Sequence, residues 1–198
     1  MRFTLYWDHR SPQGLQRPVQ RAIEGILGVE SELFEEDHLM LTGFDLVRRQ
    51  YNAEALLSRL DAVQRRRHEC SPLLLVIPDD IFAPREEFVY GLARPGHGTA
   101  VLSTARLANE FYGRQPSEDD LVDRIVKEGS HEIGHLLGLS HCTENECVMF
   151  APHTFDELDR KRKMVCPGCA ARLHGGDIGV LQAETGPVAR SRAAFRIP

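Results

Sequence analysis

Three histidines and one glutamate at fixed spacing constrain this chain more than any other feature. His131, Glu132, His135, Gly138 and His141 form the pattern H-E-x-x-H-x-x-G-x-x-H. On a helix, the first two histidines lie one turn apart on one face, where both imidazoles can reach one metal ion. The glycine can take a left-handed conformation that ends the helix and returns the third histidine to that ion. Three neutral imidazoles with one open position are typical of a catalytic zinc site.

Glu132 lies between the two helical histidines, about 100° around the helix from the first. At that position a carboxylate can act as general base on a water molecule bound to the zinc ion. Peptide or amide hydrolysis is the matching reaction. The alternative, two histidines on a solvated helix surface, leaves Gly138 and His141 at these offsets unexplained.

The chain has five cysteines, and four of them suit a second metal site. Cys142 and Cys147 form one pair, and Cys166 and Cys169 form a C-x-x-C pair, which together predict a tetrahedral four-thiolate zinc site with a structural role. Disulfides or a redox pair are the alternatives, and the absence of an export signal and of a βαβ context disfavours them. Cys70 is read as an isolated thiol.

The third histidine and the first clustered cysteine are neighbours in sequence. Cys142 directly follows His141. A structural zinc ion held by Cys142 would therefore fix the loop that carries the third ligand of the other site.

Composition and charge bear on the possible partners and the cellular location of the protein. The 198 residues include 29 acidic and 24 basic ones, a formal net charge of −5, which does not favour nucleic acid as a partner. No apolar run is long enough to span a bilayer, and the N-terminus becomes polar too early for a signal peptide. We expect a cytoplasmic protein. The sequence leaves the oligomeric state open, with a monomer favoured.

Hydrophobic periodicity predicts alternating strands and helices. The predicted strands are residues 2–7, 29–35, 73–77, 88–93 and 99–104. The predicted helices are residues 15–27, 53–67, 117–139 and 155–165. Residues 73–77 read as a central strand buried on both faces, whereas Gly91 indicates an exposed or bulged edge strand that another backbone approaches closely. Residues 37–48 are ambiguous, and residues 176–198 are expected to be loosely ordered.

The metal-binding residues also carry a family resemblance. The pattern H-E-x-x-H-x-x-G-x-x-H-C-x4-C-x-M, followed by C-x-x-C, resembles the archaemetzincin family of metzincin metalloproteases. Cys147, Val148 and Met149 supply the C-x-M. Sixteen residues separate Met149 from Cys166, one fewer than in the family pattern.

The resemblance implies an α/β fold with a mixed, twisted sheet packed with helices. It implies a long zinc-binding helix and a small C-terminal subdomain, stapled by zinc, from about residue 142. Residues 1–175 would form a single metzincin-like catalytic domain. Met149 would be a packing floor beneath the catalytic zinc, and a peptide substrate would lie along an edge strand.

Three hypotheses for function follow. The leading one is a zinc-dependent metallopeptidase with two zinc ions per chain, one catalytic and one structural. The alternative is a non-catalytic zinc-binding module that binds peptides or a partner protein, which has no need of Glu132. A zinc-ribbon nucleic-acid binder would draw on the basic residues 160–163, but those charges fit the exposed face of a short helix better.

Overall fold

The structure is a computed structural model that describes residues 1–36, 41–67, 71–152 and 154–175. Its strands are β1 (Arg2–Asp8), β2 (Glu30–Glu36), β3 (Phe44–Asp45), β4 (Gln50–Asn52), β5 (Leu73–Ile77), β6 (Ile81–Phe82), β7 (Gly91–Arg94) and β8 (Thr99–Ser103). Its helices are α1 (Gln16–Leu27), α2 (Ala53–Arg67), α3 (Glu118–Leu136), α4 (Phe155–Arg160) and α5 (Pro167–His174). The expectations for Cys70 and for residues 176–198 lie outside these ranges, as does part of the ambiguous segment 37–48.

Five strands form the main sheet, in the order β2-β1-β5-β8-β7. The first four run parallel to one another, and β7 runs antiparallel to β8. The central strand β5 is buried along its whole length, as its unbroken apolar run predicts. A mixed sheet packed with helices confirms the predicted fold class. The short strands β3, β4 and β6 form a separate three-stranded sheet.

Alternation along the strands divides the core into two clusters. One face of the main sheet packs against α1 and α3. The other face packs against α2. The side chains facing α1 and α3 are Phe3, Leu5, Trp7, Leu74, Val76, Ala93, Ala100 and Leu102. This layering places α3, which carries the three-histidine pattern up to His135, directly over β7 and β8.

Local capping explains where the helices begin and end. The Asn52 side chain accepts a hydrogen bond from the N–H of Glu54 at 2.9 Å, which starts α2. Ser117 accepts one from the N–H of Asp120 at 3.2 Å and starts α3. Gly28 ends α1 with a left-handed φ of 66°. These three boundaries confirm the prediction.

Three other predicted boundaries are wrong. Helix α3 ends at Leu136, short of the predicted end at about residue 139, although the left-handed turn at Gly138 that follows it is as predicted. Helix α4 ends at Arg160, not at residue 165, because residues 162–164 bond instead to the backbone of residues 146–148. Strand β7 begins at residue 91, not at residue 88, because Val89 pairs with Ile81 of the small sheet.

Helix α5 has no counterpart among the predicted elements. It begins at Pro167, a residue suited to the first helical position because it has no N–H to leave unpaired. Cys166 caps it, with its Sγ accepting from the N–H of Cys169 at 3.5 Å. The sequence Cys-Pro-Gly-Cys predicts a pair of metal ligands, and its proline is also a helix-start signal.

Within the described ranges, no helix is both long enough and apolar enough to cross a bilayer. The cytoplasmic location stays a prediction.

Asp61 of α2 fixes the hairpin formed by β7 and β8. Its carboxylate accepts hydrogen bonds from Arg94 at 2.7 Å and from the buried hydroxyl of Thr99 at 2.6 Å. We expect Asp61→Ala to lower the free energy of unfolding by about 2–3 kcal/mol, because a buried hydroxyl loses its acceptor and a guanidinium its counter-charge. Urea denaturation measures the loss.

The matched control is Arg2→Ala, which removes ion pairs to Glu30 and Glu32 on the exposed surface. Its effect should be much smaller than that of Asp61→Ala, because solvent screens exposed pairs. Equal losses in the two variants would contradict the anchoring role of Asp61.

Candidate metal centres

Helix α3 carries three of the predicted site residues into the protein interior. His131 and Glu132 have no exposed surface, and His135 is almost as deeply buried. His131 and His135 lie one helical turn apart, and their ring centroids are 4.6 Å apart. The local helix geometry that the sequence pattern predicts is therefore present.

A glycine turn brings the third histidine back to the other two. The N–H of Leu139 donates to the carbonyl of Gly134 at 2.9 Å, and the N–H of Gly138 donates to that of His135 at 3.0 Å. With a φ of 90° at Gly138, this is the Schellman termination of a helix. The His141 ring then lies 4.8 Å from that of His135, between centroids.

The orientation of the imidazoles fits a shared cation. Nδ1 of His131 lies 2.9 Å from the carbonyl oxygen of Val148, and Nδ1 of His135 lies 2.8 Å from that of Leu139. Because a carbonyl only accepts, each Nδ1 carries a hydrogen and each Nε2 of the neutral ring keeps its lone pair. The two Nε2 atoms are 3.0 Å apart. Lone pairs that face each other repel unless a cation lies beside both, so this donor set fits a metal ion.

Burial also keeps the three rings neutral, the form that binds metal. It lowers the pKa of His131 well below its usual value, and the nearby ammonium of Lys161 adds to that effect. Burial lowers the pKa of His135 to about 4. The pKa of the more exposed His141 falls for the same two reasons. These residues therefore offer imidazole rather than imidazolium near neutral pH.

Both carboxylate oxygens of Glu132 are buried, and neither has a hydrogen-bond partner among the described residues. Burial raises its pKa well above the usual range, and the neighbouring Glu128 raises it further. A buried carboxylate without donors is costly for the fold, which makes Glu132 a candidate functional residue.

A buried ion pair lies one turn before the histidines. Nζ of Lys161 donates to Glu128 at 2.8 Å, and neither side chain has any exposed surface. The sequence predicts Lys161 on the exposed face of a short helix, and that prediction is wrong. Lys161 follows α4 and turns inward, where the carboxylate of Glu128 compensates its charge. Neither residue was identified from the sequence as part of the site.

The four clustered cysteines also converge. Their sulfur atoms all lie within 4.8 Å of one another. The Sγ atoms of Cys142 and Cys166 are 3.7 Å apart, far longer than a disulfide bond. A tetrahedral zinc site with Zn–S bonds of about 2.3 Å has sulfur–sulfur edges of about 3.8 Å. The spacing therefore fits four thiolates around one ion.

Nearby hydrogen-bond donors lower the pKa of these thiols, whereas burial raises it. The N–H of Cys169 lowers the pKa of Cys166 to about 7, whereas burial raises the pKa of Cys169 to about 12. Arg172 donates to the Cys169 sulfur at 3.1 Å, which favours its thiolate. The buried thiols of the cluster need a cation beside them to ionise.

Three consecutive residues connect the two clusters. Cys147 belongs to the cysteine cluster, and the Val148 carbonyl accepts from His131. Met149 accepts at its carbonyl from the N–H of Cys142 at 2.9 Å. Its sulfur packs against Gly134, where any side chain on the helix would collide with it. The carbonyls of Val148 and Leu139 left no signal in the sequence, because every residue carries the same backbone group.

Comparison with known proteins places this geometry in a family. Residues 38–175 match the model for peptidase family M54. The archaemetzincin of Pyrococcus furiosus is 36% identical over 130 residues, 66% of this chain and 67% of that protein. The archaemetzincin of Sulfolobus acidocaldarius is 37% identical over 149 residues, 75% of this chain and 82% of that protein.

Solved structures agree with the sequence relatives. A zinc-dependent peptidase from Methanocorpusculum labreanum superposes with a TM-score of 0.83 at 42% identity, over 86% of this chain and 99% of that chain. The archaemetzincin of Methanopyrus kandleri gives a TM-score of 0.71 at 31% identity, over 87% and 93% of the two chains. The chain therefore belongs to peptidase family M54, the archaemetzincin family of zinc-dependent metallopeptidases.

Proposed function

We propose that His131, His135 and His141 hold a catalytic zinc ion and that Glu132 is the general base of peptide-bond hydrolysis. One observation carries this proposal. Three neutral imidazoles converge beside a buried carboxylate that has no partner of its own. That combination is unfavourable in an empty interior and is what metal-assisted hydrolysis requires.

Zinc, when bound, supplies a Lewis acid that polarises the substrate carbonyl and acidifies water. The chain supplies the remaining functions. Glu132 takes the proton of the attacking water and can return it to the leaving amine. The Val148 and Leu139 carbonyls hold the rings of His131 and His135 in the tautomer that leaves Nε2 free to bind.

The substrate class we infer is a peptide in an extended conformation. β7 ends the main sheet, so within the described residues one of its sides has no strand beside it. An added peptide strand can bond to that side, as in other proteins that extend a sheet with their ligand. The helix that carries Glu132 packs over this same strand.

A second zinc ion at the four cysteines completes the proposal. Four thiolates close the coordination sphere, so its role is structural. It fixes Cys142 and Cys147, each of which adjoins a residue of the histidine site. Residues 1–175 then form a single catalytic domain in which the cysteine site anchors the C-terminal part. The burial of Lys161 argues against a nucleic-acid patch at residues 160–163.

Removing the carboxylate of Glu132 tests the mechanism. We expect Glu132→Gln to lower kcat by about 100-fold or more, because a carboxamide cannot accept the proton. Zinc content should not change, since Glu132 is not a ligand. Cleavage of a mixture of internally quenched peptides and elemental analysis are the two measurements.

Glu118→Gln, in the exposed first turn of the same helix, is the matched control and should cleave normally. Unchanged cleavage by Glu132→Gln would contradict the mechanism. Failure of the parent protein to cleave any peptide of the mixture, with both zinc ions bound, would favour the alternative of a zinc module that binds peptides.

The number of zinc ions is a separate prediction. Elemental analysis should find two per chain in the intact protein and one in His131→Ala. A chelator such as 1,10-phenanthroline should remove the histidine-held ion first, because an open site exposes its metal more than a closed one. A single zinc ion per intact chain would contradict the two-site proposal.

Coupling between the sites is tested at Cys142. Its N–H holds the Met149 carbonyl, and its side chain belongs to the cysteine cluster. We expect Cys142→Ser to lower kcat by about 10-fold or more, the size of effect that loss of support to a metal ligand produces. Peptide cleavage and zinc content are measured together.

Ser140→Ala changes an exposed residue of the same loop and should keep full activity. Coupling would be ruled out by a Cys142→Ser protein that has lost its cysteine-held zinc but cleaves peptides at the normal rate.

A further inference from the structure

Gly91 faces the side chain of Glu132 at very short range. A Cβ atom built on Gly91 would lie 2.5 Å from Oε1 of Glu132 and 2.8 Å from its Cγ and Cδ atoms. Real Cβ atoms essentially never come so close to another heavy atom. The sequence predicts that another backbone approaches Gly91 closely. The structure brings the carboxylate of Glu132 there instead.

The position of Gly91 in the sheet explains this contact. Gly91 is the first residue of β7 and pairs with Leu102 of β8. Ala93, two residues further on, points to the same face and packs beneath α1 and α3. Leu92, which lies between them, points to the opposite face. The face of β7 beneath the catalytic helix therefore carries only a hydrogen and a methyl group at these two positions.

We propose that Gly91 is a positioning residue for Glu132. Its missing side chain leaves the space in which the Glu132 carboxylate lies between α3 and the edge strand. This role rests on the proposed function, because it has a catalytic consequence only if Glu132 is the base. It concerns where the Glu132 carboxylate is held, not how the metal ion is bound.

A side chain at position 91 would collide first with side-chain atoms of Glu132, so its effect on catalysis can be distinguished from an effect on folding. The atoms that a new methyl group would displace belong to the end of a flexible side chain, not to backbone. Glu132 can rotate away by changing its χ angles, so the chain can still fold. The group that moves is then the proposed base. Even a displacement of about 1 Å has a large effect on a reacting group.

Gly91→Ala is the direct test, with Gly96→Ala as its matched control. Gly96 lies in the turn that follows β7, and a Cβ there would meet no atom within 4 Å. We expect Gly91→Ala to lower kcat on internally quenched peptides by about 10- to 100-fold, since a displaced base loses much of its effect. KM should change by less than about 3-fold and zinc content not at all. Gly96→Ala should match the parent protein in all three.

A double variant gives a readout that does not depend on activity. In Glu132→Ala the colliding atoms are absent, so adding Gly91→Ala should shift the melting temperature less than it does in the parent protein. Cleavage by the double variant should be no slower than cleavage by Glu132→Ala alone. If Gly91→Ala does not fold by itself, recovery of folding in the double variant supports the proposal, and failure to recover overturns it.

The remaining outcomes distinguish the two proposals. Normal kcat in Gly91→Ala, with Glu132→Ala inactive, overturns the role of Gly91 and leaves the proposed function intact. Loss of zinc from Gly91→Ala also overturns it, because the effect would then be on the metal site. Cleavage by Glu132→Ala overturns the proposed function itself.

Discussion

The hydrogen bonds from His131 and His135 to backbone carbonyls are the interactions on which the rest of the site depends. They select the tautomer of each ring and turn both Nε2 atoms towards one point. One acceptor, Leu139, belongs to the left-handed turn after α3, and the other, Val148, follows a cysteine of the second cluster. The geometry of the histidines is thus fixed from outside the helix that carries them.

Placing the histidines in the interior leaves α3 with many buried charged and polar groups. The unpaired carboxylate of Glu132 and the pair of Glu128 with Lys161 are all taken out of water. The pair keeps a cation near the rings, which lowers the pKa of His131 and His135 further. The apolar residues packed around α3 therefore supply much of its stability. Its buried polar side chains are available for a functional role.

Local geometry decided how much of the molecule could be predicted from the sequence. The spacing of His131 and His135, the cap at Asn52 and the buried strand β5 depend on residues close in sequence, and all three could be predicted. The end of α4, the inward turn of Lys161 and the contact of Gly91 with Glu132 depend on partners distant in sequence. Residue type alone carries no information about those partners. Helix α5 is different, because Pro167 is a local signal for a helix start.

The tripeptide Cys147-Val148-Met149 gives the chain a point at which length cannot vary. Its three residues serve the cysteine cluster, the His131 ring and the underside of α3 in strict succession. One inserted or deleted residue would put all three out of register together. Length differences between relatives should therefore avoid the tripeptide, and grafts or tags are best placed outside it.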